Sequence, residues 1–247
     1  MKESNQEWFQ KWFDSPYYSI LYKHRDLSEA ESFLDALISF LKPLPRSTAL
    51  DVACGQGRHS IYLNQKNFDV TGIDISQKNI EHNLKFKNDT LSFFVHDMRQ
   101  PFKKNHFDHV LNLFTSFGYF ENEDHNIQTI KAMSTALKSG GKFILDFMNT
   151  EKALTELKNQ ETKIIDKIEF KIERSVDNNF IVKEISVSDQ GEKYTYKEKV
   201  KALTLSDFEK YFAMADLKIV NLFGDYKLNS FDAKNSDRLI LIAEKNS

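Results

Sequence analysis

Two glycines and an acid follow the first short apolar run of the chain and are suited to holding a small ligand. The stretch ALDVACGQG (residues 49–57) runs from a predicted buried strand into a turn, and a predicted helix begins at Arg58. Because Gly55 and Gly57 lack a Cβ, the chain can turn tightly and a ligand can approach the backbone. The helix that follows offers unpaired N–H groups at its start. Asp51 and this turn therefore predict a ligand site at the end of a strand.

Two further acids follow the next two predicted strands. Asp74 lies 23 residues after Asp51, where a carboxylate is placed to accept hydrogen bonds from both hydroxyls of a ribose. Asp97 could accept a hydrogen bond from an adenine amino group while Met98 packs on the ring. The alternative is that Asp74 and Asp97 only cap the elements after them. Ligands of parallel sheets bind beyond the carboxyl ends of the strands, so the three acids together predict a nucleoside site.

The elements that position these acids alternate along the chain. A helix is predicted at residues 27–38 and is ended by KPLP (42–45), within an N-terminal segment that is helical overall. Short apolar runs then predict strands at 48–53, 68–73, 91–96, 107–114 and 142–148, with helices at 58–67, 76–88 and 123–137. Ser206 and Glu209 fit a capping box that opens a helix to residue 215, and strands are predicted at 217–223 and 238–243. This alternation predicts an α/β fold with a mainly parallel sheet and helices on both faces.

The pattern changes after about residue 162. Alternating segments separated by Asn178-Asn179 and Gln190-Gly191 predict an antiparallel meander of about three strands. We therefore expect one domain formed by residues 1–162 and 203–247, with an N-terminal helical cover at 1–45, and a β insertion at 163–202.

The composition narrows the class of protein. The formal net charge is −2, which argues against nucleic acid as a partner. Cys54 is the only cysteine, so an internal disulfide and a cysteine-based zinc site are excluded. His106 and His109 are spaced like metal ligands, but they straddle a strand start and would point in different directions, so no metal is expected. We find neither a leader sequence nor an apolar run long enough for a bilayer, and we expect a cytoplasmic monomer or homodimer.

The segment from about residue 46 to 150 resembles class I methyltransferases, which bind S-adenosylmethionine (SAM). Ala53 stands where that family usually has its first glycine, Asp74 matches the ribose acid and Asp97 the adenine-side acid. Asn112-Leu113-Phe114 resembles the segment that lies against the methionine moiety, and residues 137–143 resemble the turn before the fifth strand. The resemblance implies a Rossmann-like sheet of seven strands, S-adenosylhomocysteine as product, and a cofactor site that includes Asp51, Ala53, Cys54, Gly55, Gly57, Asp74, Ile75, Asp97, Met98, Asn112 and Leu113.

The resemblance also suggests further site residues, each with a structural alternative. In related enzymes an N-terminal helix folds over the cofactor, so Tyr17 and Arg25 are candidates for meeting the methionine carboxylate; otherwise they anchor that helix. Thr115, Phe117, Tyr119 and Asn149 are candidates for the acceptor pocket, although the aromatic residues among them could equally pack under the loop. Tyr119 and His59 are the candidate catalytic residues, and a structural role for His59 is the alternative. The β insertion resembles one found in small-molecule and sugar-amine methyltransferases, where it covers the acceptor site or forms a dimer contact.

Two other functions compete with a methyltransferase acting on a small molecule. An NAD(P)-dependent oxidoreductase would share the glycine turn and the ribose acid, but residues 55–60 lack the third glycine of the dinucleotide motif. A catalytically idle SAM-binding partner protein would show a damaged site, whereas the acids and glycines of this motif are all present. The sequence does not identify the acceptor or the acceptor atom.

Overall fold

The computed structural model describes residues 7–23 and 27–246, which form two β-sheets and the helices around them. The strands are Thr48–Val52 (β1), Asp69–Asp74 (β2), Leu91–Val95 (β3), Phe107–Asn112 (β4), Leu137–Met148 (β5), Gln160–Ile165 (β6), Ile168–Asp177 (β7), Phe180–Asp189 (β8), Glu192–Lys201 (β9), Leu217–Phe223 (β10) and Arg238–Lys245 (β11). The helices are Trp8–Phe13 (α1), Pro16–Leu21 (α2), Leu27–Leu41 (α3), Arg58–Gln65 (α4), Gln77–Asn83 (α5), Glu123–Ala136 (α6), Thr150–Thr155 (α7) and Leu205–Ala213 (α8). A single 3₁₀ turn at Leu84–Phe86 extends α5.

The first sheet has seven strands in the order β10-β11-β5-β4-β1-β2-β3. The strands from β1 to β5 pair in parallel, whereas β11 is antiparallel to both β5 and β10. The order of the strands reverses between β1 and β4, and ligands of such sheets bind beyond the carboxyl ends of the strands at this point. The predicted α/β fold with a mainly parallel seven-stranded sheet is confirmed.

Each face of this sheet packs against its own helices, because the buried strands are apolar on both sides. Residues of α6 and α8, such as Met133 and Phe208, form a core with one face. Residues of α3 and α4, such as Phe33 and Leu63, form a second core on the opposite face. This two-sided cover holds the strand ends at fixed positions, so side chains that follow β1, β2 and β4 are brought to one edge.

The second sheet is antiparallel, with four strands in the order β6-β7-β8-β9. Its hairpins turn at Asn178-Asn179 and Gln190-Gly191, where all four residues have positive φ, as two-residue hairpin turns require. The sequence predicted about three strands from residue 163; strand β6 begins earlier, at Gln160. That strand escaped prediction because both its half-buried and its exposed positions carry mostly polar side chains, so the sequence shows no apolar alternation there.

The helices α1 and α2 pack on the second sheet and not on the parallel one. Trp12, Tyr17 and Leu21 form a separate apolar cluster with residues of β7 and β8, such as Phe170 and Ile185. The N-terminal helices and the insertion, which are far apart in sequence, thus share one small core of their own.

Two further details differ from the sequence prediction. The capping box of α8 is formed by Thr204 and Asp207, so the helix begins one residue before the predicted cap at Ser206. The short helix α7 was not predicted. In the part of the chain that the structure describes, no helix is both long and apolar enough to cross a membrane.

Candidate functional site

A cavity of about 1050 Å³ lies between the carboxyl ends of β1 and β4, the N-terminal helices and the second sheet. One wall is the glycine turn after β1 together with the bend after β4. Residues of α1 and α2 form a second wall, and α7 with the second sheet forms a third. Of the cofactor residues implied by the resemblance, the wall contains Asp51, Ala53, Cys54, Gly55 and Leu113.

The turn after β1 places three residues in the left-handed region of backbone space. The φ angles are 59° for Ala53, 53° for Gly55 and 77° for Gly57. A Cβ on Gly55 would have no atom within 4 Å, whereas one on Gly57 would come within 3.1 Å of the Phe93 ring. Gly55 therefore leaves open space beside the backbone, and Gly57 is required for packing. Ala53 departs from the motif more than its size suggests, because a left-handed φ costs a residue with a Cβ about 1–2 kcal/mol.

The turn is held from α5 by an asparagine that the sequence analysis missed. Asn83 is fully buried, and its Nδ2 donates a hydrogen bond to the carbonyl oxygen of Gly55 at 2.7 Å. Its side chain also lies against the position that a Cβ on Gly57 would occupy. That helix begins at an N-cap, since Ser76 Oγ accepts from the backbone N–H of Asn79 at 3.1 Å.

Asp51 and Asp74 lie on either side of this turn. Asp51 is 1% exposed and accepts a hydrogen bond from Ser60 Oγ at 2.6 Å. Burial, together with the charge of Asp74, raises the pKa of Asp51 to about 6. The two oxygens of Asp74 accept from the backbone N–H groups of Gly55 and Ser76, each at 2.8 Å, and burial raises the pKa of Asp74. Each of these oxygens keeps a lone pair, so both carboxylates can accept a further hydrogen bond.

The third acid, Asp97, is engaged by a neighbouring guanidinium. Arg99 donates to it from Nε at 2.9 Å and from Nη2 at 2.6 Å, and Arg99 Nη2 also reaches Glu7 at 3.1 Å. Burial alone would raise the pKa of Asp97, but the hydrogen bonds from Arg99 hold it below its ordinary value. Ile75 and Met98 lie outside the cavity wall, and Met98 packs against the core.

A strained bend follows β4 and forms the opposite side of the cavity. Phe114 and Thr115 have φ angles of 56° and 61°, which bulky and β-branched residues rarely adopt. Asp146 on β5 accepts from the backbone N–H of Phe114 at 2.7 Å, and Arg238 donates to Asp146 at 2.7 Å and to Thr115 Oγ1 at 2.9 Å. Asn112 is fully buried and donates to the carbonyl oxygens of Val52 and Ser116, each at 3.2 Å. The ion pair and Asn112 hold the bend against β1.

Tyr119 and His59, the two candidate catalytic residues, both line the cavity. The Tyr119 hydroxyl donates to the carbonyl oxygen of Thr115 at 2.8 Å, and its ring meets Trp8 at 5.4 Å between centroids. His59 is buried and stacks on Phe114 at 5.0 Å. Burial, with the charge of Arg58, lowers the pKa of His59 to about 3. Such an imidazole is neutral near pH 7 and a weak base, so the geometry favours the structural alternative for His59.

Besides Ile75 and Met98, the cavity wall does not include the predicted site residues Gly57, Asp74, Asp97, Asn112, Tyr17, Phe117 and Asn149. Phe117 is fully buried against Phe208 in the core, so the packing alternative holds for this ring. Asn149 donates to the carbonyl oxygens of Ala233 and Ser236 at 2.8 Å and thereby ties down the loop before β11. Tyr17 donates to Asp189 at 3.1 Å within the N-terminal cluster. Arg25 lies outside the described residues.

Other residues of the N-terminal helices and the glycine turn take part instead. Tyr18 and Tyr22 line the cavity from α2 and its C-terminal end, and Arg58 lines it from the start of α4. His106 and His109 lie toward the amino end of β4, away from the cavity. Within residues 7–23 and 27–246, no group of three His, Cys, Asp or Glu side chains is arranged to hold a metal ion.

Known proteins resemble this chain in sequence and in fold. Residues 49–141 match the family model described as a methyltransferase domain. A glycine/sarcosine N-methyltransferase of Aphanothece halophytica is 33% identical over 137 residues, which are 53% of this chain and 50% of that protein. The chain spans about 40% to 50% of the length of the curated relatives it matches.

The structural likeness extends over nearly the whole chain. A SAM-dependent methyltransferase from Clostridium acetobutylicum superimposes with a TM-score of 0.79 at 21% identity, covering 94% of this chain and 96% of that one. DesVI of Streptomyces venezuelae gives a TM-score of 0.71 at 20% identity, covering 93% and 97%. At these identities the likeness concerns the fold. The chain therefore has the class I methyltransferase fold, and its residues 49–141 match the methyltransferase domain itself.

Proposed function

We propose that this protein is a SAM-dependent methyltransferase that methylates a small molecule and releases S-adenosylhomocysteine. The observation that supports this most directly is the open space beside Gly55, whose N–H binds the carboxylate of Asp74 and which lines the cavity together with Asp51. A nucleoside with vicinal hydroxyls fits such a place, because carboxylates that keep free lone pairs accept from both hydroxyls.

The residues of the site also suit a cationic ligand. Asp51 and Asp74 contribute negative charge near the turn, and Asp14, directly after α1, accepts a hydrogen bond from Ser76 Oγ. Acids in a partly desolvated cavity stabilise a positive ligand more strongly than the same acids in water. We assign Asp51 and Asp74 to the nucleoside side of the ligand, and Leu113 with the bend after β4 to its methionine side.

SAM supplies a methyl group made electrophilic by its sulfonium, and the acceptor's lone pair forms the new bond while sulfur keeps the electron pair of the broken one. The chain's own task is to orient the acceptor and to exclude water, and orientation alone can lower a barrier by ~7–11 kcal/mol. The bend at Phe114 and Thr115 is fixed by Asp146 and Arg238, so the wall facing the reaction is preorganised. The rings of Tyr119 and Trp8 pack together at this wall. The Tyr119 hydroxyl donates a hydrogen bond to the carbonyl oxygen of Thr115, which orients the ring.

A small acceptor is supported by the walls of the cavity. Residues of the N-terminal helices and of the second sheet face the glycine turn across it, and its volume of about 1050 Å³ has room for SAM together with a small molecule. We accordingly propose that residues 1–162 and 203–247 form the cofactor-binding domain and that the insertion covers the acceptor. The name of the glycine/sarcosine N-methyltransferase indicates that small amines are methylated by a protein of similar sequence.

Calorimetric titration with SAM and with NAD tests the proposal, followed by incubation of the enzyme with methyl-labelled SAM and a small-molecule fraction of a cell extract. We expect SAM to bind and label to appear in a low-mass product. Binding of NAD alone would favour the oxidoreductase, and SAM binding without any labelled product would favour the idle partner protein.

A matched pair of glycine variants locates the site. Gly55 and Gly140 both have positive φ, and a Cβ on either would meet no atom within 4 Å, so Gly→Ala imposes similar backbone strain at both. Gly140 lies in a surface segment of β5 away from the cavity. We expect Gly55→Ala to weaken SAM binding at least about tenfold beyond any effect of Gly140→Ala; equal affinities would place SAM elsewhere.

A further inference from the structure

The inner face of the second sheet carries a row of charged side chains between two apolar rows. The strand register places Arg174 beside Lys183 and Lys183 beside Glu198, on three adjacent strands. We call these three residues the charged row. The flanking rows on the same face consist of Ile172, Ile185 and Tyr196 on one side and Val176, Ile181 and Val200 on the other.

The charged row faces the cavity. All three of its residues line the cavity wall, and their side chains are 18%, 21% and 13% exposed for Arg174, Lys183 and Glu198. The apolar row next to it is covered by α1, since the rings of Trp12 and Tyr196 lie 4.8 Å apart between centroids. The helices contact one end of the charged row through Trp12 and Tyr22 and leave all three of its residues on the cavity wall, where a ligand can reach them.

The carboxylate of the charged row and that of the neighbouring Glu161 already accept hydrogen bonds from other side chains. Glu198 Oε1 accepts from Trp12 Nε1 at 2.7 Å and from the Tyr22 hydroxyl at 2.5 Å, while its Oε2 accepts from Lys183 at 2.6 Å. Glu161, which also lines the cavity, pairs through Oε2 with Arg174 at 2.6 Å and through Oε1 with Lys163 at 3.3 Å. An amine in the cavity would therefore find few free acceptor positions here.

The cations, in contrast, have N–H groups to spare. Lys183 uses two of its three N–H groups, on Glu198 and on the Tyr22 hydroxyl at 2.7 Å. In the described part of the chain, Arg174 donates to Glu161 and to the carbonyl oxygen of Lys158, which accounts for two of its five N–H groups. A ligand oxyanion is the partner that these remaining donors favour, because charge-assisted hydrogen bonds are stronger than neutral ones.

We propose that Arg174 and Lys183 form an anion-binding subsite that holds a carboxylate or phosphate group of the methyl acceptor. This inference rests on the proposed function and narrows it to acceptors that carry an anionic group in addition to the nucleophile. Glu198 is a positioning residue in this subsite: it keeps Lys183 in place and ties α1 to the sheet, and it does not touch the anion.

The test uses the full chain saturated with S-adenosylhomocysteine, so that the cofactor part of the cavity is filled. Inorganic phosphate is titrated and its binding is followed by the width of its ³¹P resonance; acetate is then added as competitor to compare a phosphate with a carboxylate. Arg174→Gln is the main variant, because its partner Glu161 is part-exposed and tolerates the loss of the cation. Lys183→Gln combined with Glu198→Gln removes the second cation without leaving a buried carboxylate unpaired.

Lys197→Gln is the matched control, since Lys197 lies on β9 next to Glu198 but points to the opposite, exposed face. We expect saturable phosphate binding in the wild type and in Lys197→Gln, and at least tenfold weaker binding in Arg174→Gln. Acetate should displace the phosphate if the subsite holds the carboxylate of the acceptor, and should leave it bound if the subsite holds a phosphate. No binding to the wild type, or equal binding by all variants, would overturn the subsite. Calorimetric binding of S-adenosylhomocysteine, measured on the same samples, reports separately on the proposed function.

Discussion

Arg238 on β11 and Asp146 on β5 form an ion pair at the edge of the cavity, with Nε donating to Oδ1 at 2.7 Å. Asp146 has no exposed surface, and its other oxygen accepts from the backbone of Phe114. The pair therefore links the closing hairpin of the sheet to the strained bend that faces the reaction.

Arg238→Met should lower the free energy of unfolding by about 3–5 kcal/mol, because it leaves a buried carboxylate without its counter-ion. The double variant Arg238→Met with Asp146→Asn should recover part of that loss. Lys152→Met is the control: it breaks the neighbouring, more exposed pair with Asp237 and should cost no more than about 1 kcal/mol. Urea denaturation measures all three, and equal losses in the two single variants would contradict a structural role for the pair.

Asn83→Leu should weaken SAM binding about tenfold, since removal of a hydrogen bond of roughly 1–1.5 kcal/mol releases the Gly55 carbonyl. Because the side chain is fully buried, the stability should also fall, so urea denaturation of the same variant measures that loss separately from the affinity. Asn235→Ala on the surface is the control. Calorimetry with SAM decides: unchanged affinity in Asn83→Leu would mean that the turn keeps its shape without α5.

Ala53→Gly should leave the protein as stable or stabilise it by up to about 1 kcal/mol. Glycine relieves a left-handed strain of about 1–2 kcal/mol and costs about 0.5–1 kcal/mol in chain entropy. Ala49→Gly, four residues earlier in the buried strand β1, has no strain to relieve and should destabilise. Chemical denaturation of the two variants should therefore give opposite signs; a clear loss in Ala53→Gly would show that the Cβ of Ala53 contributes packing.

The raised pKa of Asp51 predicts a stability that falls as the pH rises. The folded state keeps the proton on Asp51 up to about pH 6, whereas the unfolded chain releases it near 3.8, so folding is favoured at the lower pH. Between pH 4 and 7 the free energy of unfolding should fall by about 2 kcal/mol through this group. Asp51→Asn should remove that part of the slope and leave the part due to Asp74, whose pKa burial also raises, while Asp124→Asn on the surface should leave the whole slope. A slope unchanged by Asp51→Asn would refute the assignment.

The sequence was sufficient for the parallel sheet and for the turn at its edge, because both depend on local signals. Short apolar runs, the glycines at 55 and 57 and the cap at Ser76 all act within a few residues. The contacts that complete the cavity join residues that are far apart in the chain: Arg238 and Asp146 are 92 positions apart, and Trp12 and Glu198 are 186. Periodicity carries no information about such pairs.

The same limit explains the misplaced site residues. Phe117 and Tyr119 are two positions apart and both aromatic, yet one lies in the core and the other on the cavity wall, since the bend after β4 turns them in different directions. The backbone between them passes through Gly118, whose φ is 82°, and the bend before them contains the left-handed Phe114 and Thr115, two residue types that give no signal for such a bend.

Glu198→Ala should loosen the N-terminal helices without unfolding the parallel sheet. Its carboxylate accepts from Trp12 Nε1 and from the Tyr22 hydroxyl, and its loss would remove the acceptor of both donors and the counter-ion of Lys183 beneath the helices. Both tryptophans of the chain lie in α1, so their emission should shift to longer wavelength as the helix becomes hydrated. Hydrogen exchange should accelerate in the helices and remain slow in β1 and β4, and SAM should bind more weakly because its cover is displaced. Glu184→Ala, on the exposed face of the same sheet, should change none of these. If the emission of Glu198→Ala matched that of the wild type, the apolar cluster of Trp12, Tyr17 and Leu21 alone would hold the helices in place.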